Sequence, residues 1–217
     1  MIQAAQFQEL YFKYKNAILI GLLVIVYTVG VVGLTTDWRE DFLPLSFFNL
    51  LFSFIVLLIA RYEHPPKFYF FLAFAFLIGM TAEWIGVHTG YLFGDYAYGE
   101  NLGVLLFDVP LIIGVNWAML VIISASVVSF LKINWLLQAI LASFAMLLLD
   151  ILIEPVAIVS DYWTWEGDIP IFNYVTWFVI TLILQIVYFR FKLAEENKVA
   201  VALYVIQLLF FIILNIA

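Results

Sequence analysis

Seven long apolar runs crowd into this 217-residue chain. A helix needs about 20 mostly apolar residues to cross the hydrocarbon core of a membrane. The runs cover residues 17–34, 43–60, 68–87, 103–130, 133–159, 169–191 and 199–216. The breaks between them are well marked. Asp37-Trp38-Arg39-Glu40-Asp41 divides the first pair, and Arg61 to Lys67 with Pro65-Pro66 divides the next. Lys132 and Asn134 mark a tight turn. A longer connector, residues 88–102, is rich in Gly, Tyr and Asp, and another, residues 160–168, carries Trp163 and Trp165. Hydrophobic residues make up 66% of the chain and charged residues 12%, against about half and a quarter in soluble domains. That balance excludes a water-soluble globule, a disordered segment and an outer-membrane barrel with alternating strands. The expected fold is all-α: a polytopic membrane helix bundle of about seven transmembrane helices, one domain over residues 1–217.

Basic residues give the orientation. In a seven-span arrangement Lys13, Lys15, Arg61, Lys67, Lys132, Arg190, Lys192 and Lys198 fall on one side and only Arg39 on the other. Cytoplasmic loops collect Lys and Arg, so the amino terminus is expected in the cytoplasm and the protein in the inner, cytoplasmic membrane. Trp38, Tyr91, Tyr96, Tyr98, Trp163 and Trp165 then crowd the outer boundary, where an aromatic belt belongs. The first 15 residues are too polar to read as a cleaved signal peptide.

Several chemistries drop out. Cysteine is absent and only His64 and His88 supply imidazole, which leaves no thiolate, iron–sulfur or histidine-rich di-iron site. No glycine-rich nucleotide motif occurs, so no cofactor, metal or nucleic acid is expected. A retinal-binding rhodopsin needs a lysine in the middle of its last helix, and run 199–216 has none.

Four acids fall inside or at the edge of apolar runs: Glu83, Asp108, Asp150 and Glu154. An acid at a helix centre costs about 2.5–3.5 kcal/mol even on the lenient insertion scale. In alternating spans all four are expected at one depth in the outer half of the membrane, with Asp150 and Glu154 one turn apart on one face. His88, Asn116, Trp117, Asn173, Tyr174 and Trp177 are expected at the same level, and Pro110 and Pro155 interrupt the backbone hydrogen bonding there. Taken singly, His88 reads as an interface hydrogen-bonding residue, and Trp84, Trp117 and Trp177 read equally as packing. Crowded carboxyls in a low dielectric cannot all ionise. A group that keeps its proton beside one that has lost it is the minimum for acid–base chemistry. Without a cofactor the accessible reactions are additions, eliminations and isomerisations on a lipid-soluble substrate.

In order along the chain, these residues resemble the CruF-type membrane carotenoid hydratases, which include carotenoid 1′,2′-hydratases and bisanhydrobacterioruberin hydratase. The matching stretches are Glu83-Trp84-Ile85-Gly86-Val87-His88-Thr89-Gly90, Phe93-Gly94-Asp95-Tyr96-Ala97-Tyr98, and Val109-Pro110-Leu111 with Asn116-Trp117. Further on come Asp150, Glu154-Pro155-Val156-Ala157, Trp163-Thr164-Trp165, and Pro170-Ile171-Phe172-Asn173-Tyr174 with Trp177. They cover spans three to six, about half the chain. Glu154 stands where Asp usually precedes the proline, and Thr176 where Gly usually precedes the tryptophan.

The resemblance implies a hydro-lyase that adds water to the terminal C=C of an acyclic carotenoid end group, as in lycopene or γ-carotene, giving a tertiary alcohol. It implies Glu83, Asp108, Asp150 and Glu154 as the acid–base set, with Glu83 or Asp150 as the acid. Trp84, His88, Tyr96, Asn116, Trp117, Trp163, Trp165, Asn173, Tyr174 and Trp177 would hold substrate and water. Two other functions keep a place: a lycopene-type cyclase, and a proton-coupled lipid transporter or carotenoid-binding scaffold. The last lacks an inverted repeat and any acid in the inner half. Which carotenoid is used, and the oligomeric state, are not legible.

Overall fold

The computed structural model describes residues 2–217, with the side chains of residues 2–9, Phe12 and Lys13 left out. Met1 and the Lys13 charge used above therefore lie outside the described residues. Eight helices run in the order α1 (Ile2–Leu34), α2 (Arg39–Phe42), α3 (Leu45–Ala60), α4 (Pro66–Thr89), α5 (Leu111–Ser129), α6 (Trp135–Val159), α7 (Ile171–Arg190) and α8 (Lys198–Ile216). Four short strands join them: β1 (Tyr96–Tyr98), β2 (Leu105–Leu106), β3 (Val109–Pro110) and β4 (Trp163–Trp165). Six helices, α1 from Tyr14 onward and α4 to α8, are long and apolar enough to cross a membrane. The remaining expected span is α3. Its 16 residues rise roughly 24 Å at 1.5 Å per residue, short of the roughly 30 Å hydrocarbon core.

The side-chain contacts of two arginines fix which loops share an end. Arg39 donates from Nη1 to the Leu34 carbonyl (3.1 Å) and from Nη2 to the Val159 carbonyl (2.8 Å) and Ser160 Oγ (3.0 Å). It thereby gathers the carboxyl ends of α1 and α6, whose last carbonyls lack helical donors. At the other end Arg61 donates from Nη2 to the Leu193 carbonyl at 2.9 Å, and Lys67 Nζ donates to the Phe191 carbonyl at 2.7 Å.

Helix α5 forms the axis of the bundle. Its spanning window is 78% buried, whereas the other five are 28–39% buried. It packs against α3, α4, α6, α7 and α8. Gly114, Ala118, Ser124, Ala125 and Ser126 let neighbours approach it closely, as small residues do between membrane helices.

Run 103–130 does not form a single helix. Pro110 caps α5 in an extended conformation (φ −63°, ψ 130°), and β2 pairs with β3, Leu106 opposite Val109. Phe107 and Asp108 are left as a two-residue turn with φ of 51° and 63°. Positive φ at both central residues is the requirement of a tight I′ hairpin.

A second ribbon lies at the same end of the bundle. β1 and β4 pair antiparallel, Tyr96 opposite Trp165, Ala97 opposite Thr164, and Tyr98 opposite Trp163. Strand side chains alternate between faces, so the four aromatic rings share one face, while Ala97 and Thr164 are exposed on the other. Backbone bonds from Gly99 N to Tyr162 O (3.0 Å) and from Glu166 N to Asp95 O (2.8 Å) extend the pairing.

Candidate active site

Beneath the aromatic ribbon, three carboxyl groups line one small chamber: Glu83 on α4, and Asp150 and Glu154 on α6. They are 4%, 2% and 2% exposed. Asp150 and Glu154 sit four residues apart, on the same helical face. Glu83 lies between Gly79 and Gly86 on one stripe of α4. A Cβ on Gly79 would come within 2.5 Å of the Trp117 ring, and one on Gly86 within 2.8 Å of the Tyr96 hydroxyl. The two glycines are what let both donors close on the acid.

Each glutamate takes three hydrogen bonds from uncharged donors. Glu83 Oε2 accepts from the hydroxyls of Tyr96 (2.6 Å) and Tyr98 (2.7 Å), and Oε1 from Trp117 Nε1 (2.9 Å). Glu154 Oε2 accepts from Trp163 Nε1 (2.9 Å) and Trp165 Nε1 (3.1 Å), and Oε1 from Asn173 Nδ2 (3.2 Å). One strand of the ribbon therefore serves Glu83 and the other Glu154. Asp150 differs: its Oδ2 is buried without any partner among the described residues. Native structures rarely leave such an atom unsatisfied. No salt bridge reaches any of the three acids among the described residues. No set of three His, Asp or Glu side chains there is arranged to hold a metal ion.

The chamber holds a cavity of about 40 Å³, room for a few waters at roughly 10–15 Å³ each. Asn116 and Trp177 line it. Trp117 backs it, stacked on Trp177 with ring centroids 4.0 Å apart and planes 9° from parallel.

The structure thus brings together Glu83, Asp150, Glu154, Tyr96, Asn116, Trp117, Trp163, Trp165, Asn173 and Trp177. Asp108 is a correction. It sits at the β2–β3 turn with its side chain 73% exposed and faces His88 Nε2 at 3.2 Å. It was expected one to two turns inside a span, but Pro110 delays the start of α5 until Leu111. His88 is likewise outside the chamber, its Nδ1 against the Trp84 carbonyl at 2.9 Å. Trp84 is 46% exposed on the bundle surface. Tyr174 is half-buried and is not among the chamber's lining residues. Exposed ion pairs contribute only about 0–1 kcal/mol. Asp108→Asn is therefore expected to leave the melting temperature of the protein within a few degrees of wild type. Tyr98 and Phe93 also line the chamber, and neither stands out in the sequence as a site residue. Tyr98 carries a signal in retrospect, two residues after Tyr96 and so on the same strand face.

Burial, then the charge of Glu83, pushes the hydroxyls of both ribbon tyrosines well above the ordinary tyrosine value of 10.0. Raised folded-state values mean that their contribution to stability is fully present below the unfolded value, near pH 10, and is lost as pH rises beyond it. An alkaline titration is expected to show Tyr96 and Tyr98 still protonated at about pH 11, where exposed tyrosines have ionised. Comparing tyrosinate absorbance of wild type with a Tyr96→Phe/Tyr98→Phe double variant checks this. Equal tyrosinate at that pH in both is expected, and a deficit in the double variant would contradict it.

A family model described as carotenoid biosynthesis protein matches residues 45–217. The chain belongs to that family. The match spans every helix that lines the carboxylate chamber and both strands of its aromatic cover. No curated protein and no solved structure matches the chain. Six long apolar helices and this family membership make the chain a multi-pass membrane protein of the carotenoid biosynthesis family.

Proposed function

We propose that the protein is a cofactor-free hydratase that adds water to the terminal C=C of an acyclic carotenoid end group, giving a tertiary alcohol. The observation that carries this reading is the inequality among the three acids. Glu83 and Glu154 each have three donors suited to a negative charge, whereas Asp150 has an oxygen with none. Hydrogen bonds to the charged form favour that form, and burial without them favours the neutral one. Asp150 is therefore assigned as the proton donor, and Glu83 or Glu154 as the group that takes up the proton released by water.

In the reaction, the Asp150 carboxyl hydrogen passes to the less substituted carbon of the double bond. The π pair forms the new C–H bond and leaves a tertiary cation on the other carbon. Trp177, Trp163 and Trp165, which line the chamber, stabilise it as indole rings do other cations. A water held by Asn116 or Asn173 donates its lone pair to the cation. Its proton passes to a glutamate and, through the remaining water, back to Asp150. Nothing is oxidised or reduced in these steps.

On this reading the membrane is the inner one, the basic loops face the cytoplasm, and water enters the chamber from the opposite surface. Expression in a bacterium that accumulates lycopene or γ-carotene is expected to raise the pigment mass by one water per acyclic end. A product of unchanged mass with a new ring would indicate a cyclase instead. Unaltered pigment across several acyclic-ended carotenoids would overturn the hydratase reading.

A further inference from the structure

A cavity of about 40 Å³ accommodates the tip of a polyene and not its length, so the rest of a long substrate must lie elsewhere. Two further cavities border it in series, each sharing wall residues with the next. The carboxylate chamber shares Ile113, Asn116, Ile153 and Trp163 with a middle cavity of about 80 Å³. That middle cavity in turn shares Leu34, Ser46, Asn49 and Phe210 with an open groove of about 300 Å³. The groove is walled by α1 and α3, with Val26, Val29 and Gly30 on one side and Leu45, Phe48 and Phe52 on the other. Two other surface grooves, beside Trp84 on α4 and between α4 and α7, share no residue with the chamber. The α1–α3 face is also where the bundle has its shortest expected span.

We propose that the groove between α1 and α3 is the lateral entrance and binding site for the apolar body of an elongated polyene, with its reacting end threaded through the middle cavity to the carboxyls. The inference rests on the hydratase reading for the identity of the reacting end, but not for the binding path. The occupant follows from the walls, which are mostly aliphatic and aromatic along the groove, with Ser46 and Asn49 as polar exceptions where it meets the middle cavity. Phe210 is the gate. It borders both groove and middle cavity, it packs edge-on against Tyr27 at 5.2 Å, and its ring is the first thing a side chain at Gly30 would meet, at 3.3 Å. Beyond the gate, the unpartnered Gln207 Oε1 and Asn49 Oδ1 border the middle cavity.

The test uses full-length protein in proteoliposomes and two readouts: polyene retained on purification, read by visible absorbance, and conversion of that polyene. Gly30→Leu wedges the gate, and Phe210→Trp fills it from the opposite side. Gly21→Leu places the same bulk on α1, where nothing lies within 4 Å. Both gate variants are expected to lower retention and conversion of a long polyene by about tenfold. A ten-carbon substrate with the same end group should stay within about twofold of wild type, and Gly21→Leu should change neither readout. If either folded gate variant handles the long polyene as wild type does, or loses short and long substrates equally, the path is wrong. A failure of the hydratase reading alone leaves its own signature: retention falls in the gate variants although wild type converts nothing.

Discussion

Replacing Asp150 by asparagine is expected to cut conversion by about a thousandfold, within the range general acid–base groups contribute. The substitution keeps the size of the side chain and removes the transferable proton. Both side chains are uncharged in this account and equal in size, so the protein should fold about as well as wild type. Loss of turnover with an unchanged melting temperature is the expected pair of results. An Asp150→Asn protein that still hydrates at more than about a tenth of the wild-type rate would remove Asp150 from the role of acid.

Glu154→Gln should be nearly as damaging, for a different reason. Three N–H donors converge on this carboxylate, from Trp163, Trp165 and Asn173. A glutamine that turns its NH₂ toward the indoles sets donor against donor, at about 1–3 kcal/mol, and one that turns it toward Asn173 forces that amide to flip and accept. Conversion is expected to fall by about a hundredfold, together with a lower melting temperature as the ribbon loses its anchor on α6. Glu154→Asp keeps the charge but withdraws it by one methylene. It should fall between glutamine and wild type in both measurements. If Glu154→Gln and Glu154→Asp behave alike, the charge at this position is not what matters.

Much of this site is written locally in the chain, and the part that is not has an identifiable cause. Asp150 and Glu154 are one turn apart on a long helix, so their common face follows from sequence spacing alone. Glu83 reaches the same depth because α4 and α6, with α5 between them, run in the same direction, and each carries its acids toward its carboxyl end. Asp108 misled because hydropathy cannot distinguish a membrane helix from an apolar hairpin; the deciding details were Pro110 and a two-residue turn. The aromatic cover was read as an interfacial belt. Its strands, Tyr96-Ala97-Tyr98 and Trp163-Thr164-Trp165, are three residues each, too short for periodicity to register. Their pairing joins segments some 65 residues apart, Tyr98 to Trp163, and only the fold brings such segments side by side. Once paired, Tyr96, Tyr98, Trp163 and Trp165 point their polar atoms inward at two acids.

The central claim is that a carbon takes a proton and then a water inside this chamber. Purified protein should be given an acyclic-ended carotenoid in deuterium oxide, and separately in heavy-oxygen water. The account predicts one deuterium fixed on the carbon beside the new alcohol, and heavy oxygen in the alcohol itself, for each end hydrated. A product with neither label, or a cyclic product carrying deuterium but no heavy oxygen, would contradict it.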